Sequence, residues 1–257
     1  PGNPYESIKI LAEKDLFRTF LMKQGFNAPP ITSIRPHDNI MDKAKSLAFP
    51  VIVKPTDSSG SKGISKADHL EEFPRAVKYA FEFSRNKKVI AEEFIDNEIA
   101  DIHGDGFVVD RALKFACLGD HIYNIRSNPF NPAGTMWPTT IPDSIVHKII
   151  KDVAEIVKLS GFRSGPINIE ARVNSKGNHY IMEIGPRNGG HFVPQAIQYA
   201  TGFNMVEAYL NNLQGKAVII PEYKVKPAAY FAIHSDEFGT LDSINISSKL
   251  QPFIKEF

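Results

Sequence analysis

Residues 165–190, GPINIEARVNSKGNHYIMEIGPRNGG, decide the fold. Apolar residues alternate along 166–173 and recur along 179–184, and a turn-rich segment separates the two runs. This pattern predicts a β-hairpin. Counting outward from a two-residue turn at Lys176-Gly177 places Glu170 directly across from Glu183 on one face of the hairpin.

The facing glutamates predict a site for a metal ion and a phosphate group. Like charges directly opposite each other destabilise a sheet, and one carboxyl keeps its proton unless a cation lies between the two. Mg²⁺ is commonly held by one or two carboxylates together with substrate phosphates. The alternative is an exposed hairpin edge at which the two side chains splay apart into solvent.

The composition is that of an ordinary globular protein. The 257 residues are 42% hydrophobic and 23% charged, which suffices for one large or two modest domains. A formal charge of +1 gives no global field that would favour nucleic acid or an anionic membrane. The single Cys117 excludes an intrachain disulfide, and no apolar run approaches the ~18 residues of a membrane span. We therefore expect a soluble cytoplasmic protein, and the first residue, Pro1, suggests that an N-terminal portion precedes it.

A buried strand followed by a Gly/Ser loop predicts a phosphate-binding flap. Residues 49–55, FPVIVKP, form a short apolar β-branched run that carries Lys54, and residues 56–63, TDSSGSKG, follow directly with Lys62. Glycine lets backbone N–H groups approach an anion closely, and serine adds donors. The pattern is not that of a P-loop, because a second strand at 64–66 follows instead of a helix. The alternative is a flexible polar hairpin loop.

The remaining pattern predicts an α+β fold. We expect helices at 4–24, 38–47, 74–84, 143–159, 192–200 and 204–213, and further strands at 31–34, 88–96, 98–110, 111–124 and 227–234. The second of the two long strands is expected to be bulged. Most of the polar residues of these strands are expected on a solvated face, namely Glu98, Asp101, Asp110, Arg111 and His121. Residues 125–141 are expected to form a long proline-rich loop, which makes Arg126 a candidate anion ligand.

Four segments, in this order, resemble the ATP-grasp superfamily, especially its carbamoyl-phosphate-synthase, biotin-carboxylase and amino-acid-ligase branch. They are VIVKPTDSSGSKG, VIAEEFI, GPINIEARV and IMEIGPRNGG, and the resemblance runs from about Lys14 to Leu213. It implies two α+β lobes with mainly antiparallel sheets that clasp ATP. We expect N-terminal helices and a linker over 1–47, a small lobe over 48–96, a large lobe over 97–220, and a C-terminal strand and tail over 221–257.

The resemblance also implies roles for individual residues. Lys14 and Lys54 would contact the phosphates, the 58–63 loop would close over them, the 92–95 segment would hold adenine, and Glu98 would reach the ribose. The implied nucleotide-binding residues are therefore Lys14, Lys54, Ser58, Ser59, Gly60, Ser61, Lys62, Gly63, Glu92, Glu93, Phe94, Ile95 and Glu98. The implied substrate-binding residues are Arg126, Arg187 and His191, and Lys62 and Arg187 are the implied catalytic residues. The segment between the adenine-binding residues 92–95 and Glu98 is one residue shorter than in many relatives.

The implied metal ligands are Glu170 and Glu183. Many relatives carry asparagine two residues after the second glutamate as a further metal ligand, and this chain has Gly185 there. Asn188 from the following turn, or a water molecule, would then take that place.

The implied reaction joins a small carboxylate to an amine or a thiol, with ATP and Mg²⁺ or Mn²⁺, through an acyl phosphate and with release of ADP and phosphate. Neither nucleic acid nor a membrane is an implied partner, and the resemblance is compatible with a homodimer. Two alternatives remain. Bicarbonate could be the acid that is phosphorylated, as in carbamoyl phosphate synthases and carboxylases, or the chain could bind nucleotide without turnover.

Overall fold

Two antiparallel β-sheets organise the chain in the computed structural model, which describes residues 2–58, 60–123, 132–235 and 237–256. The helices of these ranges are α1 (Tyr5–Ala12), α2 (Lys14–Lys23), α3 (Ile40–Ala44), α4 (Phe73–Glu82), α5 (Asp143–Ser160), α6 (Val193–Thr201) and α7 (Met205–Leu213). The strands are β1 (Ile31–Ile34), β2 (Val51–Pro55), β3 (Ser65–Ala67), β4 (Val89–Glu93), β5 (Ala100–Val109), β6 (Ala112–Tyr123), β7 (Pro132–Trp137), β8 (Gly165–Val173), β9 (His179–Gly185) and β10 (Ala228–Phe231). The predicted α+β fold is confirmed.

The smaller sheet has the strand order β1–β4–β2–β3. Strand β2 is buried along its whole length, as its continuous apolar run predicts, so Lys54 starts from inside this lobe. Helices α3 and α4 cover one face and form a core with the strands, whose buried members include Ile34, Val51, Val53, Phe73, Val77 and Val89. The antiparallel pairing of β2 with β3 makes residues 56–64 the connection between two adjacent strands, as predicted for a flap.

The larger sheet has the strand order β10–β7–β6–β5–β8–β9. One face packs against α1, α2 and α5, and its core includes Ile149, Val153 and Ile156 of α5 and Ile167, Ile169 and Ala171 of β8. Because strand side chains alternate between faces, the intervening β8 residues, Asn168 and Glu170, point away from this core. The second face is only partly covered: α6 and α7 pack over Phe107, Phe115 and Trp137, which leaves a polar region of the sheet beside them.

The prediction of a continuous loop over 125–141 is wrong for residues 132–137, which form β7 between β6 and β10. Ala133, Thr135 and Trp137 alternate inward and are buried, and Pro132 stands at the first strand position, where a missing N–H does not interrupt the ladder. The predicted bulge in β6 is confirmed by a register shift opposite Phe107 and Val108. Arg126 lies in 124–131, outside the described residues.

The N-terminal segment contributes to both lobes. Leu11, Phe17 and Leu21 of α1 and α2 are buried in the core of the larger sheet, whereas β1 pairs with β4 of the smaller one. The divisions at 47, 96 and 220 stay predictions. In the part of the chain that the structure describes, none of the helices has the length and apolar character needed to cross a bilayer.

Candidate active site

The glutamate pair has the predicted register. Glu170 of β8 lies directly across from Glu183 of β9. The predicted two-residue turn is wrong: Asn174 and Asn178 are joined by a hydrogen bond, and residues 175–177 form a three-residue turn with Gly177 at φ +76°. The extra turn residue shifts the register by one, and a bulge at Met182 shifts it back, since Ala171 pairs with Ile181 but Glu170 pairs with Glu183.

The electrostatics of this pair fit a hard cation. Burial raises the pKa of Glu170, and the facing carboxylate of Glu183 raises it further. A divalent cation would remove this repulsion, and carboxylate oxygens are the ligands that Mg²⁺ prefers. Within the described ranges no three His, Cys, Asp or Glu side chains form a metal-binding group, so the pair would share its ion with another oxygen donor. The side-chain oxygen of Asn188 is buried and, among the described residues, has no hydrogen-bond partner, which suits the auxiliary role predicted for it.

Lys14 connects the glutamate pair to the flap. Its ammonium nitrogen lies 3.7 Å from a carboxylate oxygen of Glu183 and donates a 3.0 Å hydrogen bond to the backbone oxygen of Ser58. Lys14 is the first residue of α2, so the packing of that helix on the larger sheet fixes where the ammonium group stands. A predicted phosphate ligand, a predicted metal ligand and the start of the loop therefore meet at one place.

Lys54 is held by a buried ion pair. Its ammonium group contacts one carboxylate oxygen of Glu92, and the guanidinium of Arg18 donates a 3.0 Å hydrogen bond to the other. Burial lowers the pKa of Lys54 to about 8, against the opposing charge of Glu92. Although burial acts the other way, Arg18 and Lys54 together lower the pKa of Glu92 to about 2. The side chain of Glu92 therefore orients Lys54, and only its backbone remains for the predicted adenine contact.

Arg18 was missed by the sequence analysis. The signal that could have revealed it is its place one helical turn after Lys14, on the same side of α2. An arginine 1% exposed needs a buried partner, and the sequence alone did not indicate that Glu92 supplies it.

The flap residues take backbone conformations that suit an anion-binding loop. Gly60, Ser61 and Gly63 all have positive φ angles, of +66°, +57° and +74°. At Gly63 a Cβ would come within 2.9 Å of side-chain atoms of Pro55 and Phe83, so glycine is required there. Lys62 is exposed, and Ser59 lies outside the described residues.

In the predicted adenine hinge, the side chains are already engaged. Glu93 accepts a 2.9 Å hydrogen bond from the Ala48 amide, and the ring of Phe94 carries the Lys66 ammonium 4.8 Å from its centre. The 92–95 segment therefore offers backbone groups and Ile95 rather than the Phe94 face. Within the described ranges the Ile95 amide N–H has no hydrogen-bond partner, as a group that reads a purine edge would need. Glu98 is exposed at the end of this segment.

The expectation of a solvated face for Asp101 and His121 is wrong, because only 10% and 5% of these side chains is exposed. Their strands lie in the middle of the larger sheet, where Arg172 approaches Asp101 to 3.3 Å and the Tyr123 hydroxyl donates a 2.9 Å hydrogen bond to it. Alternation alone does not separate a solvated face from one that borders an active-site cleft. The ring of His103 stacks on the ring of His121, with the ring centres 4.4 Å apart. His103 belongs to the same polar face and lies opposite Glu170.

Asp105 of β5 holds the loop after β9 in place through hydrogen bonds. The sequence analysis did not single out this residue. Asp105 has no solvent exposure, and its two carboxylate oxygens accept hydrogen bonds of 3.0 and 2.9 Å from the Gly189 amide. The Asn168 amide donates a third bond of 2.8 Å. Burial raises the pKa of Asp105 to about 7.

Arg187 and His191 lie on either side of this anchored point. Arg187 is exposed and donates a 2.6 Å hydrogen bond to the backbone oxygen of Asn188. His191 is also exposed and stacks on Tyr230, with the ring centres 5.8 Å apart. The structure thus groups Lys14, Ser58, Glu170 and Glu183 and places the two substrate candidates on the adjoining loop.

Comparison with known proteins identifies the family of this chain. The family model of the ATP-grasp domain matches residues 47–195, more than half of the chain. This chain belongs to the ATP-grasp family. The matched region contains Lys54, the flap, the hinge and both glutamates of the hairpin.

Three relatives illustrate the ATP-grasp match. The carbamoyl phosphate synthase large chain of Thermoanaerobacter sp. (strain X514) is 26% identical over 223 residues, which are 87% of this chain and 20% of that one. The structure of an L-amino acid ligase from Bacillus licheniformis has a TM-score of 0.69 and 23% identity, and the match covers 82% of this chain and 50% of the ligase. A third match is the structure of the biotin carboxylase domain of the Hydrogenobacter thermophilus 2-oxoglutarate carboxylase, a dimer with MgADP and bicarbonate. It has a TM-score of 0.69 and 18% identity, and the match covers 84% of this chain and 48% of that one. This chain therefore spans half or less of these relatives.

Proposed function

We propose that this ATP-grasp chain is the catalytic core of an ATP- and Mg²⁺-dependent ligase that joins a small carboxylate to an amine. The observation that carries the proposal is the Glu170–Glu183 pair with the Lys14 ammonium 3.7 Å from Glu183. Two facing carboxylates next to a lysine that also contacts the flap suit a cation–triphosphate complex better than they suit an empty surface.

The proposed reaction has two steps. A carboxylate oxygen of the acid attacks the γ-phosphorus of ATP, the bond to the bridging oxygen breaks, and ADP leaves with its electron pair. The amine nitrogen of the acceptor then attacks the acyl carbon of the resulting acyl phosphate, loses a proton, and expels phosphate. A divalent cation held by Glu170 and Glu183 would neutralise charge on the phosphates.

The protein groups act by position and charge. Lys14 and Lys54 would bind the phosphates, and the 58–63 loop would cover them and exclude water. Arg187 would neutralise the acid carboxylate as it approaches another anion, and such preorganised charge is the main source of catalysis when no covalent intermediate with the protein is needed. Asp105 would hold the loop that carries Arg187.

Hydroxylamine allows the first step to be tested before the natural amine is known, because it attacks acyl phosphates in general. The protein would be incubated with ATP, Mg²⁺, hydroxylamine and, in turn, amino acids, other small carboxylic acids and bicarbonate, with hydroxamate and phosphate both measured. We expect one class of carboxylic acid to give hydroxamate and phosphate in equal amounts. Product identification by mass spectrometry with a panel of amines then names the acceptor.

The same experiment separates the alternatives. Phosphate release that depends on bicarbonate alone would favour a carboxylase or carbamoyl-phosphate-synthase type of reaction. Tight Mg²⁺-dependent nucleotide binding without turnover on any acid would favour a binding module. The Glu183→Gln variant is the control for contaminating ATPase, since it removes a carboxylate that the proposed reaction needs.

A further inference from the structure

Helix α2 lies between the two sheets and contacts residues of both lobes. Phe17 and Leu21 fix one side of the helix in the core of the larger sheet. On the other side, Asp15 forms an ion pair with Lys88, the residue before β4 of the smaller sheet. The helix is therefore placed to transmit the position of one lobe to the other.

Arg18 makes the most direct connection between the lobes. Its Nε donates a 3.0 Å hydrogen bond to Glu92, the partner of Lys54, and its Nη1 donates a 2.7 Å hydrogen bond to the backbone oxygen of Met182. Met182 is the bulged residue next to Glu183, so its backbone oxygen sits at the point where the hairpin register is corrected. One guanidinium thus links the residue that orients Lys54 to the backbone beside a metal-binding glutamate.

The geometry points to Arg18 as a positioning residue that fixes the Lys54 ammonium relative to the Glu183 carboxylate, so that nucleotide phosphates and divalent cation bind as one unit. This inference rests on the proposed function. A planar guanidinium presents several donors in a rigid fork, whereas a lysine ammonium on a flexible stem cannot hold two partners in the same fixed geometry. Because Arg18 is 1% exposed, it acts through Glu92 and Met182 and not by contact with substrate.

The test is the Arg18→Lys variant, which keeps the charge and removes the fork. Isothermal titration would measure the affinity for a non-hydrolysable ATP analogue with Mg²⁺ and with EDTA, and the ratio of the two affinities is the readout. We expect the ratio to fall about tenfold or more, in the range typical for residues that orient metal ligands. The affinity in EDTA should change by less than about twofold, because Lys54 keeps Glu92 as its partner. Exposed Arg75→Lys on α4 is the matched control and should keep the original ratio.

The outcomes distinguish this inference from the proposed function. If the unaltered protein gains no affinity from Mg²⁺, the proposed function fails. If it does gain affinity and Arg18→Lys keeps the same ratio, even with a lower melting temperature, Arg18 has a structural role only and the inference is overturned.

A measurement on the unaltered protein guards against a variant that does not fold. On addition of the analogue with Mg²⁺, hydrogen exchange should slow in α2 as well as in residues 181–184, because Arg18 couples the helix to the hairpin. The analogue in EDTA, which would contact α2 only through Lys14, should protect α2 much less. Protection confined to the hairpin would contradict the inference.

Discussion

Glu170 lies directly across from Glu183 because two departures from regular geometry cancel: a three-residue turn shifts the hairpin register, and the Met182 bulge restores it. Without the bulge, the alternation of β9 would carry Glu183 to the face on which Ile181 and Ile184 are buried. The bulge is therefore what puts both carboxylates on the polar face of the larger sheet.

From this pairing we predict that Glu183→Gln loses the gain in nucleotide affinity that Mg²⁺ provides. The amide cannot neutralise a cation, so the affinity for a non-hydrolysable ATP analogue with Mg²⁺ should fall at least about tenfold. The affinity in EDTA should not fall, since removal of a negative charge beside Lys14 does not hinder phosphate binding. Titration with and without Mg²⁺ measures both.

The control for this substitution is Glu71→Gln, an exposed glutamate before α4. It should leave both affinities unchanged. A Glu183→Gln protein that stays folded and retains the whole Mg²⁺ effect would show that the hairpin carboxylates do not hold the metal.

The sequence predicted those site residues whose position follows from the pattern of their immediate neighbours in the chain. Lys54 follows a buried apolar run and Glu170 and Glu183 flank a turn, so periodicity indicated their placement. Arg18 and Asp105 could not be identified in this way, because their partners, Glu92 and Gly189, lie 74 and 84 residues away in the chain. The correct register of the glutamates was also partly fortuitous, since neither the turn length nor the bulge was predicted.

Strand β7 shows a second limit. The prolines around residues 132–138 favoured a loop, yet they stand at the ends of a strand whose inward residues, Ala133, Thr135 and Trp137, are buried. Trp137 packs against residues of α6 and β10. Tertiary packing overrides local propensity here.

Nucleotide affinity should depend on the protonation of Lys54. In the free protein its pKa is lowered to about 8, chiefly by burial. Phosphate binds the ammonium form, so affinity should be constant well below pH 8 and fall as the pH rises through 8. Lys54→Met should bind about 10- to 100-fold more weakly below pH 7, the usual contribution of a charged hydrogen bond, and should lose this pH dependence.

Titrations of the analogue between pH 6 and pH 9 test this prediction. Lys78→Met, at an exposed position of α4, should reproduce the profile of the unaltered protein. An unchanged profile in Lys54→Met would assign the titration to another group.

The stability of the fold should decrease with pH because of Asp105. Burial raises its pKa from 3.8 to about 7, so the folded state favours the protonated form. The contribution of Asp105 to the free energy of unfolding is largest below pH 4 and decreases as the pH rises from 4 to 7. Above pH 7 it no longer changes. A shift of this size corresponds to a few kcal/mol, at ~1.4 kcal/mol per pH unit.

Urea unfolding of the unaltered protein and of Asp105→Asn between pH 4.5 and pH 8 isolates this contribution. The stability of the unaltered protein relative to the variant should fall as the pH rises. Exposed Asp42→Asn should instead give a curve parallel to that of the unaltered protein. Parallel curves for Asp105→Asn would mean that Asp105 is ionised across the whole range.

The last prediction concerns Gly189 and Gly190, neighbours that differ sharply in their surroundings. At Gly189 a Cβ would come 2.8 Å from a side-chain carbon of Val193 and 3.0 Å from a carboxylate oxygen of Asp105, whereas at Gly190 nothing lies within 4 Å. Neither residue has a positive φ, so alanine is strained by contacts alone.

We expect Gly189→Ala to lower the free energy of unfolding by about 1–3 kcal/mol, the usual cost of overpacking. Gly190→Ala should be neutral or stabilise by up to about 1 kcal/mol, since alanine restricts the unfolded chain. Gly189→Ala should also weaken the binding of any acid substrate found with the hydroxylamine assay. The reason is that the hydrogen bonds from the Gly189 amide to Asp105 hold the loop that carries Arg187. Equal stability of the two variants would show that the loop can move away from Asp105 without cost, and the anchoring role of Asp105 would then have to be abandoned.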